Sequence, residues 1–474
     1  MLINGKIVES VSRETFAVYN PATKEEIKKV AKATKEDIEI AVTAAEKAVK
    51  IWSKVPIWKR AEILYKFVDL VVENKEELAQ TLCKENGKPI TEARAEIHNI
   101  EISFPAFIEQ AKHFYGKIIP AGQEEGQDKT LQLITREPVG IVACIIPFNF
   151  PCDLFDQKVA PALIMGNAAI VFPSSDNPLT LLKLSELLAK AGVTDGAIQC
   201  ITAPGAVKEA AVSDPRVHLV TLTGSTEVGI RTAQLAGANL THTALELGGN
   251  DAFIVLDDAD IDLAVEETVW GRMYNTGQVC CASKRFLIHE SKKQEFVEKV
   301  SKRIQSLKVG EPSQEDTQIG CLISEKAAIK VEEQVLQTIS EGAKLVLGGK
   351  RNGAFYEPTV LTDIPKTAQV AKDMEIFGPV VSIISFSTDD EAVEIANSSI
   401  FGLSSCVFSK DQKRAFSIAS QMEAGGVVIN GASFYRSFEM PFGGWKHSGI
   451  GTEGVESTFN EMTRVKTIVL KNIF

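Results

Sequence analysis

Short, continuous apolar runs recur through this chain, and loops and stretches of helical spacing separate them. Residues 141–146, 168–172, 197–202 and 219–223 are such runs, with a helix-like stretch at 179–191 between the second and third. A strand without polar alternation needs cover on both faces, which a parallel sheet between helices provides. Parallel strands also need helical crossovers, so the pattern predicts βαβ units with ligand loops at the strand C-termini. A second series starts at residues 252–256 and continues through 286–288, 344–347 and 380–384. Two α/β domains follow, with a seam near residues 246–251.

The flanking segments read as scaffold. Residues 1–30 suggest short strands around a turn at Asn20-Pro21-Ala22-Thr23. Thr34 opens a helix with Asp37 as a weak capping box, and a second helix follows Pro56. A third stops at Asn86-Gly87, and a fourth spans residues 97–111. Residues 130–140 alternate as a strand would. Residues 463–470 are β-prone and stand alone, which predicts a strand pairing across a subunit interface.

Composition excludes several classes. The chain has 474 residues, enough for two or three domains, and a net charge of −11, opposite to what phosphate backbones attract. No apolar run approaches the ~20 residues of a membrane span, and Met1 to Lys6 carries no signal-peptide core. Eight cysteines without regular spacing suggest reduced thiols in a cytoplasm.

The chemistry concentrates in a few stretches. Tyr274-Asn275-Thr276-Gly277-Gln278-Val279-Cys280-Cys281 offers thiols from a turn, without the spacing of a zinc site, so no metal is expected. Alone, such a pair more often packs as small hydrophobes. Thr223-Gly224-Ser225 follows a strand and opens a helix, whose N-terminus favours phosphate, although without GxGxxG spacing the stretch alone more often makes only a tight strand–helix turn. Glu246 precedes Leu247-Gly248-Gly249; flanked by leucines, its carboxyl would be desolvated and suited to a general base, or else paired with a Lys or Arg. Pro147-Phe148-Asn149-Phe150-Pro151 holds an amide that could donate to an oxyanion, or simply form a turn.

With Glu375-Ile376-Phe377-Gly378-Pro379 and Pro441-Phe442-Gly443-Gly444, these stretches resemble the aldehyde dehydrogenase superfamily in order and spacing, essentially end to end. Glu246 and Cys280 stand 34 residues apart, as in that family. The resemblance implies an α/β fold of two Rossmann-type domains with a small β oligomerisation arm. Residues 1–116 and 137–246, with part of 431–462, would bind NAD or NADP. Residues 247–430 would form the catalytic domain, and 117–136 with 463–474 the arm of a homodimer or homotetramer. By the same resemblance Cys280 is the nucleophile, Asn149 and the Cys280 N–H form the oxyanion hole, Glu246 activates water, and Lys158 supports the site. The cofactor would lie against Ile146, Phe148, Phe172, Ser174, Ser175, Gly205, Thr223, Gly224, Ser225, Val228, Leu247, Gly248, Glu375 and Phe377. Phe150, Arg436, Phe442 and Cys281 would meet the aldehyde. Oxidation would run through a thiohemiacetal and a thioester to the carboxylic acid.

Some positions depart from the family's pattern. Its adenine-ribose signature, Lys-Pro-Ser-Glu, is here Phe172-Pro173-Ser174-Ser175. Loss of the Glu removes repulsion of a 2′-phosphate, while loss of the Lys removes a cation, and the balance leans slightly to NADP tolerance. Asp156-Gln157-Lys158 replaces the Thr-Arg-Lys of succinic semialdehyde enzymes, which disfavours that substrate. Arg436 lies in a loop resembling the lactaldehyde and phosphonoacetaldehyde branch and would prefer a small polar or anionic aldehyde, unless it forms a structural salt bridge. The alternatives are an acylating enzyme that uses coenzyme A, against which Glu246 argues, and a catalytically silent binding protein, against which Cys280, Glu246 and Asn149 argue together.

Overall fold

The computed structural model describes residues 1–473; Phe474, the last residue of the expected arm, lies outside the described residues. A first sheet runs in the order Lys6–Ile7, Leu2–Ile3, Ile198–Cys200, Ala168–Phe172, Ile141–Ile145, Val217–Thr223, His242–Glu246 and Gly449–Ile450. Its five central strands are parallel, from Ile198–Cys200 to His242–Glu246. Every residue of Ala168–Phe172 is buried, as a strand covered on both faces requires. The chain steps outward from Ile141–Ile145 to Ile198–Cys200, then returns to the other side with Val217–Thr223. The strand order therefore reverses between Ile141–Ile145 and Val217–Thr223, and a crevice opens beyond their C-terminal ends.

The second sheet orders Lys344–Leu347, Thr359–Thr362, Val380–Phe386, Ser283–His289, Asp251–Val255, Ser404–Phe408 and Gly426–Ile429. Only Lys344–Leu347 runs antiparallel to its neighbour. Both series of apolar runs thus form the two sheets expected of them, and the fold is mixed α/β.

Two elements differ from the sequence reading. The helix expected over residues 97–111 spans Ile90–Lys112, because Pro89 starts it within a polar stretch where apolar spacing is silent. That extension carries Glu96 into the interior, 2% exposed. The terminal strand is not alone: Thr463–Lys471 pairs antiparallel along its whole length with Thr130–Pro138 of the same chain. The helix Val455–Met462 delivers it beside that partner, so its inner edge needs no second copy.

The first long helix, Lys35–Trp52, starts with the expected capping box of Thr34 and Asp37. Asp37 also accepts from Ser10 Oγ at 2.6 Å and from the Val11 N–H at 3.0 Å, which ties the N-terminal segment to the helix start. Asp37→Ala strips several bonds from a buried site. It is expected to destabilise the protein by about 2 kcal/mol, read as an earlier urea unfolding midpoint.

Candidate active site

The loops leaving Ile141–Ile145 and Val217–Thr223 border a cleft of about 560 Å³, closed on its other side by residues 323–334 and by Glu375 and Phe377. Its walls are apolar at Ile145, Ile146, Phe148, Leu222, Val228 and Phe377. Thr223, Gly224 and Ser225 line it where the helix Thr226–Gly237 begins, with Ser225 Oγ capping Val228 N–H. A helix N-terminus of this kind favours an anion. The helix comes close to the neighbouring strand: a Cβ on Gly229 would collide with Leu247, so glycine lets the two pack.

Cys280 and Asn149 line the same cleft. Cys280 sits on a loop in which Asn275, Thr276 and Gly277 take φ of +49°, +54° and +75°. Left-handed backbone is unfavourable for Asn and Thr, at about 1–2 kcal/mol each, so other contacts must impose it. They are present. Glu92 Oε2 accepts the Asn275 N–H at 2.8 Å, and Gln278 Oε1 accepts the Ile323 N–H at 2.9 Å. A side chain on Gly277 would meet the Gly378 backbone, so the loop is pinned against the strand start that follows.

The Asn275 amide also donates to the Asn149 carbonyl at 2.8 Å, and Lys88 Nζ donates to the same oxygen at 2.8 Å. Lys88 is wholly buried, ion-paired to Glu96, and lies 4.4 Å over the Phe150 ring. Asn86 and Asn177 hold the neighbouring Phe148 carbonyl at 2.6 and 2.8 Å. The loop expected to stabilise an oxyanion is therefore fixed through its backbone, and Asn275 links it directly to the cysteine loop.

Glu246 ends its strand 4% exposed, accepts from Thr223 Oγ1 at 3.1 Å, and takes a long hydrogen bond from Cys280 Sγ at 3.8 Å. Burial, with repulsion from Glu453, pushes its carboxyl up to about 7 against the pull of Arg436 and Lys158. Burial would raise Glu453 too, but Lys158 and Arg436 outweigh it and hold that carboxyl at about 2. The Cys280 thiol is pushed well above its usual range, first by its hydrogen bond with Cys281 and then by burial and by Glu246. The resting pair is a neutral thiol beside a carboxyl that can ionise near neutrality.

The expected substrate contacts behave differently from one another. Phe442 and Cys281 pack with Val279, Ala282 and Leu403, and Phe150 borders that cluster beside Cys280. Tyr274 and Phe434 complete an aromatic wall with Phe150, at ring separations of 6.1 and 6.3 Å. Arg436 instead pairs with Glu453 at 3.0 Å and stacks 4.1 Å over Phe442, with Nη1 4.0 Å from Glu246 Oε1. The salt bridge, and not a free guanidinium, is what the fold builds there.

Among the expected cofactor residues, Ile146, Phe148, Ser174, Thr223, Gly224, Ser225, Val228, Gly248, Glu375 and Phe377 line the cleft, whereas Phe172, Ser175, Gly205 and Leu247 do not. Phe172 is fully buried in the sheet core, as its place in an all-apolar strand demands, and offers only a carbonyl that accepts from Ile146 N–H. Leu247 packs with Leu222 and Leu245, while Ser175 and Gly205 face outward. Sequence reading missed Lys284, which donates to the Cys280 carbonyl and pairs with Glu375 at 3.2 Å, and it missed Glu453, Lys88 and Asn275. Lys284 stands four residues after Cys280, a spacing that could have flagged it.

A doubly wound sheet whose crevice joins a helix N-terminus to a cysteine–carboxylate pair belongs to a dinucleotide-dependent enzyme that works through a thiol. Comparison with known proteins narrows the class. A model of the aldehyde dehydrogenase family matches residues 7–468. A 3-sulfolactaldehyde dehydrogenase from Pseudomonas putida is 37% identical, the match covering 99% of this chain and 96% of that protein. A lactaldehyde dehydrogenase from Methanocaldococcus jannaschii is 38% identical, covering 99% and 100% respectively. The crystal structure of a betaine aldehyde dehydrogenase from Staphylococcus aureus in complex with NAD+ superposes with a TM-score of 0.96 at 34% identity, covering 100% of this chain and 95% of that one.

The chain belongs to the aldehyde dehydrogenase family. It is an NAD- or NADP-dependent oxidoreductase acting on an aldehyde. The cleft fits such a cofactor by its size, its apolar walls and its helix N-terminus. It also fits by Gly248, where a Cβ would meet Glu375 Oε2 at 2.5 Å. Asn275→Gly keeps the left-handed backbone and removes the amide that holds Asn149, along with its long bond to the Gln278 carbonyl. Turnover is expected to fall about tenfold with dinucleotide affinity unchanged, read by initial rates against a fluorescence titration with reduced nicotinamide dinucleotide.

Proposed function

We propose that this enzyme oxidises a small polar or anionic aldehyde, such as lactaldehyde, to its acid by covalent catalysis at Cys280. The carrying observation is the reach of Cys280 Sγ to Glu246 Oε1 at the wall of the cofactor cleft. Ionised Glu246 takes the thiol proton, and the thiolate adds to the aldehyde carbon. The Asn149 amide and the Cys280 N–H stabilise the alkoxide. NAD or NADP, held by residues 146–148, 223–228, 248 and 375–377, supplies the hydride acceptor. Glu246, once it has passed the thiol proton to solvent, deprotonates the water that releases the acid from the Cys280 thioester. A carboxyl poised near 7 supports this hydrolysis over transfer to coenzyme A. Lys158 and Arg436 act through charge: with Glu453 between them, they lower the pKa of Glu246.

The substrate reading draws on relatives named for sulfolactaldehyde and lactaldehyde. Within the same reading, residues 1–116, 137–246 and part of 431–462 form the cofactor domain, and 247–430 the catalytic domain. Residues 117–136 and 463–473 form an arm, and their separate sheets support this division. The outer edge of Thr463–Lys471, with Val465 and Val469 more than half exposed, suits assembly into a homodimer or homotetramer of a cytoplasmic enzyme. Among the described residues no helix is long and apolar enough to cross a membrane.

The test is reduced-nicotinamide absorbance with lactaldehyde, together with carboxylate release in the absence of coenzyme A. Wild-type enzyme should show both, and dependence on coenzyme A would overturn the hydrolytic step. Glu246→Gln should slow turnover by roughly 10²–10⁴-fold. A carboxyl whose pKa is raised to about 7 stays protonated below that pH and cannot serve as a base, so the rate should rise through neutrality. Arg436→Met removes a positive neighbour, raises the Glu246 pKa and should move that limb to higher pH. An unmoved limb in the variant would exclude Arg436 from setting the charge of Glu246.

A further inference from the structure

The strands Ala168–Phe172 and Ile198–Cys200 lie one and two positions outward from Ile141–Ile145 in the first sheet. At about 4.8 Å per strand, loops leaving Ile198–Cys200 sit some 10 Å from the switch point. Ser174, Asp176 and Lys208 leave these strands and line the same cleft. Lys208 lies on the helix Gly205–Val212, and its ammonium donates to the Pro173 carbonyl at 2.6 Å. An ammonium has three protons, so two remain for a ligand. Lys326 and Lys330, from the helix Glu325–Ser340, line the cleft as well. Apart from Cys280 and Glu375, the ionisable groups that line the cleft are these three lysines and Asp176, a surplus of two positive charges when all four are ionised.

We propose that Lys208 reads the 2′-phosphate of NADP, giving this enzyme a preference for NADP over NAD. The inference rests on the cleft being a nicotinamide dinucleotide site, and it goes beyond that reading by assigning the cation. A phosphomonoester carries close to two negative charges at neutral pH, which matches the surplus. The strand position where the family keeps a lysine is Phe172, sealed in the core, so no cation can arrive from there. The position of its glutamate is Ser175, so no carboxylate stands there to repel a phosphate. Lys208 restores the missing cation from the helix after the adjacent strand Ile198–Cys200, held in place by a carbonyl of the ribose loop itself. Asp176 opposes a dianion, but burial pushes its carboxyl above the usual carboxylate range, and Lys208 and Lys326 balance its charge when it ionises.

The test is calorimetric binding of 2′,5′-ADP and 5′-AMP to the full-length protein, without aldehyde or turnover. Wild type should bind 2′,5′-ADP roughly tenfold or more tightly than 5′-AMP, the worth of a charge-assisted bond. Lys208→Met should erase that advantage while leaving 5′-AMP affinity within about twofold, which also reports an intact fold. Lys208→Arg should retain it. Equal binding of the two fragments by wild type, or an advantage surviving in Lys208→Met, would overturn the role of Lys208. Failure of wild type to bind either fragment would instead sink the dinucleotide reading beneath it.

Discussion

One carbonyl oxygen, that of Asn149, receives donors from two directions, and the geometry of the site hangs on it. Lys88 comes from the turn just before the long helix and Asn275 from the cysteine loop. The oxyanion loop leaves the first sheet, whereas the cysteine loop precedes the central strand Ser283–His289 of the second. Without a bond between them, their separation would drift with every small movement of one sheet against the other. Covalent catalysis tolerates little of that, because a misplacement of about 1 Å can cost a hundredfold in rate. The left-handed backbone at Asn275 and Thr276 is the counterpart of this demand. The chain accepts an unfavourable conformation because that conformation turns the Asn275 amide toward Asn149 and its N–H toward Glu92.

The second constraint is charge in a place with little water. Lys158, Glu453, Arg436 and Glu246 form a chain of alternating sign that ends at the thiol. Glu453 pairs directly with two cations and stays ionised, whereas Glu246 is buried, meets a repelling carboxylate, and feels Arg436 and Lys158 only at longer range. Holding Glu246 near 7 means that ionising it there costs about 3 kcal/mol more than ionising a free carboxyl. A base weaker than this could not draw a proton from the thiol, and a stronger one would stay protonated at working pH. The same arrangement explains why Arg436 is committed to Glu453: an Arg released from it would leave a buried carboxylate with half its compensation.

Motif residues were legible through the family resemblance, since each stretch alone left a packing, turn or salt-bridge reading open. Cys280 after Gly277-Gln278, Glu246 before Gly248-Gly249 and Asn149 between prolines all meet in one cleft or on its wall. The two sheets were legible for a different reason, since continuous apolar runs have few other destinations. Lys88, Glu453 and Asn275 were not, because their meaning lies in partners 61, 295 and 126 residues away. A buried lysine looks like any other lysine until its partner is known. Phe172 shows the opposite error: a position aligned with a ligand-binding lysine is also a position in an all-buried strand, and the strand decided.

The strand order separates two jobs that a single cleft must do. Chemistry gathers at the switch point, where loops from both sheets are clamped to one another and a change in one residue propagates to the rest. Recognition at the outer end draws on loops that follow Ala168–Phe172 and Ile198–Cys200, neither of which supplies Cys280, Glu246 or Asn149. A cation can therefore leave the Phe172 position and reappear on the helix that follows the adjacent strand without disturbing the reacting groups. The site near Cys280 has little such freedom, because Gly277 cannot gain a side chain and Gly248 lies against Glu375. Cofactor preference is thus the more changeable property of this fold, and the covalent step the more constrained.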